Sequence, residues 1–394
     1  MRFRHPDGST VHLAYCTNVH PAEDLDGVRR QLRDHAEPVR RRLGRDRLGI
    51  GLWLARDAAR ALTADPAALR GLKAELDDRG LEVVTLNGFP YEGFGAEEVK
   101  YRVYQPDWTD PERLDHTTDL ARLLAALLPG DVTEGSISTL PIAWRTPFDE
   151  ARDRQARRAL GILAQRLGAL QELTGRSIRI GLEPEPGCTV ETTADAIGAL
   201  TAPGAPPTDR IGVCVDTCHL ATQFEDPEHV VAALTAAHVP VVKAQLSAAL
   251  HAEEPHDPAV REALAAFAEP RFLHQTRTRT PYGRVHGTDD LPEALAEDGP
   301  LPTTAPWRAH FHVPLHAPPE PPLTSTLPVL GDTLTRLVGG PVPLTRHLEV
   351  ETYTWQALPP ELRPRTRGRL AEGIAAELGL ARDLLTALGL KELP

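Results

Sequence analysis

Lysine is nearly missing from this chain. It occurs only at Lys73, Lys100, Lys243 and Lys391, and arginine supplies almost all of the positive charge. Positive charge is in the minority altogether: the net charge is −12, which argues against a protein built to hold a nucleic-acid backbone. Cys16, Cys188, Cys214 and Cys218 are too few and too scattered to frame 394 residues with disulfides. Reduced thiols are expected, and the C-x3-C of Cys214 and Cys218 has no second pair nearby to complete a zinc site. No apolar run approaches the roughly 18 residues that a membrane span needs. The opening MRFRHPDGST has no apolar stretch of the signal-peptide kind. A cytoplasmic protein with no direct membrane insertion and no nucleic-acid partner is expected.

What the chain does have is apolar residues, 41% of the total, enough for one large core. They fall in short runs separated by longer helical patterns. The runs are HLAYCTN from His12, LGIGLWL from Leu48, LEVVTLN from Leu81, GSISTLP from Gly135, IRIGLEP from Ile178, IGVCVDT from Ile211, VVKAQLS from Val241 and HLEVETY from His347. Between them lie stripes such as Leu160, Leu163, Leu167 and Leu170, spaced to fill one helical face, with Gly175 as a cap. Leu370, Ile374, Leu378, Ala381, Leu385 and Leu388 read as a final helix. Eight strands alternating with helices predict an α/β fold, a (β/α)8 TIM barrel, as a single domain over 1–394. An open doubly wound sheet is the rival, but no Gly-rich phosphate turn follows an early strand. The Pro- and His-rich stretch 247–346, between strands 7 and 8, predicts a long insertion at the catalytic face.

In such a barrel, active sites sit where strands end. GLEPEPG supplies Glu183, with Glu185 beyond it; CVDTCH supplies Asp216 and His219; VKAQLS supplies Gln245; HLEVETY supplies Glu351; and WRAHFHVPLH adds His310 and His312. Each has an ordinary alternative. Glu183 and Glu351 can pair with arginines, Asp216 can cap a helix, Gln245 can satisfy backbone groups, and the two histidines can be loop residues. Their joint placement on the ends of strands 5 to 8 is what counts. Carboxylates converging at about 5 Å repel by about 3 kcal/mol per pair at an effective dielectric near 20. A divalent ion held by Glu183, Asp216, Gln245 and Glu351, with His310 and His312 close by, would offset that. Oxygen-rich ligands favour Mn²⁺ or Mg²⁺, and the histidines keep Zn²⁺ open.

Strand alternation puts Lys243 one layer below Gln245 and Glu349 one layer below Glu351. The two are expected to meet as a buried ion pair; a lysine that contacts substrate is the alternative. Asn18 and His20 after strand 1, and Asn87 and Tyr91 after strand 3, are candidates to hydrogen-bond a polar substrate. For Asn87-Gly88 a plain turn is the alternative.

GLEPEP, VDTCH, the strand-end Gln and VET together resemble the xylose isomerase-like barrels, a superfamily that includes sugar isomerases, ketose 3-epimerases and endonuclease IV. VCVDTCH resembles the endonuclease IV motif, which implies Asp216 and His219 as metal ligands. The epimerase pattern of two Glu, an Asp and a His implies Glu183, Asp216 and Glu351 as ligands, with Gln245 standing where the His is expected. YCTNVHP, LNGFPYEGF, PDWTDPERLDHT, GLEPEPG, QLSAAL, HFHVP and HLEVETYTW resemble the EboE-type metabolite-traffic proteins over nearly the whole chain. That resemblance implies a role among the proteins of a secondary-metabolite gene cluster, which are then possible partners. It implies no particular reaction.

Three functions follow as expectations. The first is a metal-dependent isomerase or epimerase of a small polyhydroxy or hydroxy-carbonyl compound, in which Glu183 and Glu351 remove and return a proton and His219 steadies substrate oxygens. The second is a barrel that binds a metabolite at a metal without catalysis. The third is phosphodiester hydrolysis of the endonuclease IV kind. It is disfavoured by the acidic balance and by the lack of any His between His116 and His219.

Overall fold

A computed structural model describes residues 1–394. Eight parallel strands close into a barrel: Thr10–Cys16, Leu48–Trp53, Leu81–Asn87, Glu134–Thr139, Ser177–Leu182, Ile211–Asp216, Val241–Leu246 and His347–Val350, with the eighth pairing back onto the first. Helices pack outside and side chains fill the inside, so these strands are buried on both faces. Leu48–Trp53, Leu81–Asn87, Ile211–Asp216 and Val241–Leu246 are buried at every position, which is why they read as apolar runs rather than as alternating ones. The helix Glu150–Thr174 starts where the Asp149 carboxylate accepts from Arg152 N and stops at Gly175, whose φ of 69° suits a residue without Cβ. It buries Leu160, Leu163 and Leu167. The final helix, Arg367–Ala387, buries Leu370, Ile374, Leu378, Ala381 and Leu385.

Three features differ from the simplest reading of the sequence. Strand 8 stops at Val350, and Tyr353–Gln356 forms a 3-10 turn, so Glu351 is the first residue past the strand rather than part of it. A short strand, Arg2–Arg4, pairs antiparallel with Thr10–His12 and with Lys391–Glu392, tying both ends of the chain to strand 1. Residues between strands 7 and 8 build a second sheet of five short strands, in the order Val285–Thr288, Thr276–Arg279, Trp307–Ala309, Leu250–Ala252 and Thr324–Ser325. The helix Leu327–Val338, also in this stretch, packs against the helix Pro227–Ala236 in the outer ring. One continuous apolar core runs through barrel and second sheet, from Leu13 and Ile50 to Trp307 and Phe311. No helix is long and apolar enough to cross a membrane.

Candidate metal centre and its pocket

The ends of strands 5, 6 and 8 bring three carboxylates together. Oxygens of Glu183, Asp216 and Glu351 lie within 4.8 Å of one another, all buried. Asp216 ends strand 6 and caps the helix Thr217–Thr222. Its Oδ1 accepts from Cys218 N at 2.7 Å, His219 N at 3.0 Å and Ser247 Oγ at 2.7 Å. Its Oδ2 is buried and has no hydrogen-bond partner. Capping therefore does not exclude ligation here, because it leaves the second oxygen unused. Glu351 is held in the same way: its Oε1 accepts from Asn18 Nδ2 at 2.7 Å and from Asn87 Nδ2 at 2.9 Å. Glu183 Oε2 and both amide atoms of Gln245 are likewise buried without a partner.

Unpaired buried oxygens cost free energy, and here the three carboxylates crowd within 4.8 Å of one another. Burial, then the charges of Glu351 and Asp216, push the Glu183 carboxyl well above its usual range. Burial, then Asp216 and Glu349, do the same to Glu351, against the hydrogen bond from Asn18. A hard divalent cation would relieve this repulsion and supply the missing partners, so the donor set fits one.

Beside the carboxylates, three imidazoles converge. His310 Nε2 lies 3.1 Å from His219 Nε2 and 3.2 Å from His312 Nε2. Each ring's other nitrogen faces an oxygen acceptor: Pro184 O at 2.9 Å for His219, Gln275 Oε1 at 2.8 Å for His310 and Glu351 O at 2.7 Å for His312. Gln275 Nε2 donates to Tyr104 Oη at 2.8 Å and to Pro186 O at 2.9 Å, which leaves its oxygen for His310. These acceptors favour the neutral tautomer with its proton on Nδ1, which turns Nε2 lone pairs of the three rings toward one another. Burial pushes His310 well below the usual histidine range and His312 down to about 4, which disfavours charge on those two rings. A cation between the rings would accept these lone pairs, and nitrogen donors suit zinc-like ions. Asp216, His219 and His312 form one possible ligand group here, and Cys218, His310 and His312 another.

Lys243 and Glu349 lie beneath, both fully buried, with Lys243 Nζ donating to Glu349 Oε2. Burial pulls the ammonium down, but the Glu349 charge reverses this and holds it above its ordinary value. Gly51 on strand 2 leaves the room: a Cβ there would lie 2.0 Å from Glu349 Oε1. Deeper still, His347 Nδ1 contacts Ser136 Oγ at 2.8 Å.

A pocket partly open to solvent sits over the centre. Glu183, Glu351, His219, His310, His312, Asn18 and Asn87 line it. Asp216, Gln245 and Lys243 do not; Lys243 is spent on Glu349. The structure takes two of the expected substrate contacts elsewhere. His20 stacks on His35 with ring centroids 3.9 Å apart, and Tyr91 packs edge-on against His116 at 5.0 Å. Neither reaches the pocket, because the chain after strands 1 and 3 turns their rings outward onto neighbouring helices. Asn18 and Asn87 do reach it, but their amide nitrogens serve Glu351. Sequence reasoning gave no role to Tyr104, which donates to Glu185 Oε1 at 2.6 Å, or to Gln275, which orients His310. Only the second Glu of GLEPEP hinted at this network.

The sequence profile of the xylose isomerase-like TIM barrel matches residues 43–261. No curated protein matches the chain in sequence. Solved structures similar to it include a D-allulose 3-epimerase from Methylomonas sp. in complex with D-allulose, at 13% identity over 95% of this chain and 96% of that one, with a TM-score of 0.47. The IOLI protein with a bound zinc atom is 12% identical over 96% and 99%, with a TM-score of 0.48. A 3-keto-D-glucoside 4-epimerase from E. coli is 16% identical over 60% and 79%, with a TM-score of 0.37. With more than half of its length matched by that profile, and with a closed eight-stranded parallel barrel, the chain belongs to the xylose isomerase-like TIM-barrel family.

Proposed function

We propose that this chain is a metal-dependent isomerase or epimerase of a small hydroxy-carbonyl compound, polyhydroxy ones included. The observation that supports it best is the set of bare carboxylate oxygens on Glu183 and Asp216 beside a Glu351 whose other oxygen is already bonded. Glu183, Asp216, Gln245 and Glu351 would hold Mn²⁺, Mg²⁺ or Zn²⁺, and His219, His310 and His312 would extend or complete the ligand set. A divalent ion there would supply the positive charge that steadies negative charge developing on substrate oxygens. Glu183 and Glu351 reach the pocket from strands 5 and 8, which suits the removal of a proton from one face of a carbon and its return to the other. Asn18 and Asn87 fix Glu351, and Lys243 with Glu349 supports the floor.

We also read residues 247–346 as an insertion that completes the site with Gln275, His310 and His312. The motif likeness to EboE-type proteins supports a place in secondary-metabolite precursor processing or traffic, in the cytoplasm, alongside other proteins of the same cluster.

The test is elemental analysis of protein purified without chelators, followed by solvent-deuterium incorporation into candidate hydroxy-carbonyl compounds by the native protein and by Glu351→Gln. A bound divalent ion with exchange that Glu351→Gln abolishes supports the reading. Metal and ligand binding with no exchange would turn it into a metal-assisted binding protein. Absence of any divalent ion at stoichiometric level would overturn it.

A further inference from the structure

The walls of the pocket differ in chemistry from its floor. Beside the carboxylates, imidazoles and amides of the candidate metal centre, the lining carries the apolar side chains of Phe89, Phe94, Val103, Phe272 and Leu273 and the ring of Tyr353. Three of these rings pack together from separate segments. Phe94 and Phe272 have centroids 5.2 Å apart, Phe94 and Tyr353 5.5 Å, and Phe272 and Tyr353 4.8 Å. The wall is also fastened in place: Val99 N and Lys100 N donate to Arg271 O at 2.7 and 2.9 Å, and Lys100 pairs with Asp290. It joins the loop after strand 3 to the stretch that leads into the second sheet.

From this contrast we infer that the ligand carries an apolar, ring-bearing body behind its oxygen-bearing head, and is neither a free nor a phosphorylated sugar. The inference rests on the metal-site reading above and narrows it. A free sugar with its head at the carboxylates would set most of its remaining hydroxyls against carbon, because the polar side chains further along the lining are already engaged, Tyr104 with Glu185 and Gln275, and Lys100 with Asp290. Hydroxyls left there without partners would lose their water. A phosphorylated sugar needs a cation. Lys100 is the one lysine or arginine lining the pocket, and Asp290 already neutralises it. An aromatic or alicyclic body would instead bury its faces against Phe94 and Phe272 and use their edges. Pockets of this kind take orientation from a few polar groups and affinity from apolar walls.

The test uses hydroxamates, whose two oxygens bind a divalent ion, on the full chain loaded with Zn²⁺ or Mn²⁺. Isothermal titration calorimetry would compare acetohydroxamate, benzohydroxamate and the polyhydroxylated D-threonohydroxamate. Benzohydroxamate is expected to bind at least about tenfold tighter than D-threonohydroxamate. Phe272→Ala should remove most of that advantage and leave acetohydroxamate within about twofold. Should Phe272→Ala fail to fold, Leu273→Ala carries the same expectation. A tighter D-threonohydroxamate, or an aryl advantage that survives the wall substitution, overturns the apolar-body inference while the metal site stands. Failure of all three to bind metal-loaded protein overturns the metal reading and this inference with it.

Discussion

Lys243 and Glu349 meet in full burial one layer below the carboxylate cluster, Nζ donating to Oε2. Neither has water to fall back on, so each depends on the other. Lys243→Met should leave Glu349 charged or force it to take a proton, and should cost about 3–5 kcal/mol in chemical denaturation. Lys243→Met combined with Glu349→Gln should recover a large part of the loss, because no unpaired charge remains. A double variant no more stable than the single one would mean that packing, not charge, is what the lysine supplies.

Asp216 divides its work between two oxygens, and Asp216→Asn separates them. The asparagine can still accept from Cys218 N, His219 N and Ser247 Oγ, so the helix cap survives. At the other oxygen an NH₂ replaces a bare acceptor. The expected result is a metal-free melting temperature equal to or above that of the parent, since one of three mutually repelling charges is gone. Metal affinity should fall by more than the roughly 10–100-fold typical of losing a supporting partner. Asp216→Ala should add the loss of the cap, about 1 kcal/mol. Equal metal content in Asp216→Asn and parent protein would remove Asp216 from the ligand set.

Asn18 acts on Glu351 from 333 residues away. Asn18→Ala deletes one of two amide donors on Oε1 and leaves Asn87 in place. Metal affinity is expected to drop roughly 10–100-fold, with little change in stability, as read by metal-buffer titration and thermal melting. An affinity within twofold of the parent would show that Asn87 alone fixes the carboxylate.

That long reach also explains what the sequence conceals. The barrel is legible because parallel strands buried on both faces must be apolar runs, and Leu48–Trp53 and Ile211–Asp216 look like that. Glu183, Asp216 and Glu351 are legible only as a set: each alone could pair with an arginine or cap a helix, as Asp216 does, and it is their shared place at strand ends that singles them out. Side-chain alternation within two strands is enough to place Lys243 near Glu349. Nothing local says that Asn18 and Asn87 point at Glu351 rather than at a ligand, or that His20 turns away to stack on His35. Those outcomes depend on loop directions set by distant packing. Tyr104, Gln275 and the aromatic wall come from loops and from the second sheet, where no periodicity fixes which side chain faces inward. The end of strand 8 at Val350 was hidden for a related reason: Tyr353 has strand propensity, but its ring is needed in a 3-10 turn against Phe94 and Phe272.

Glu377, on the final helix, clamps two arms of the site. Its Oε1 accepts from Leu315 N at 3.0 Å and from Thr352 Oγ1 at 2.6 Å, and its Oε2 accepts from Trp355 Nε1 at 3.0 Å. Leu315 follows the histidine pair and Thr352 follows Glu351. Complete burial raises the carboxyl from 4.5 to about 7 despite these three donors. A group raised in the folded state contributes stability that is full below its unfolded value and lost as pH climbs through its folded one. Between pH 4.5 and 7 the native protein holds a proton that the unfolded chain has released, so this site weakens the fold by up to about 3 kcal/mol across that window. Glu377→Gln cannot titrate. Its stability relative to the parent should therefore rise between pH 5 and pH 8, and paired urea denaturation at those two pH values reads the difference directly. A relative stability of Glu377→Gln that stays constant, or falls as pH rises, would mean that the three donors outweigh burial and keep Glu377 ionised throughout.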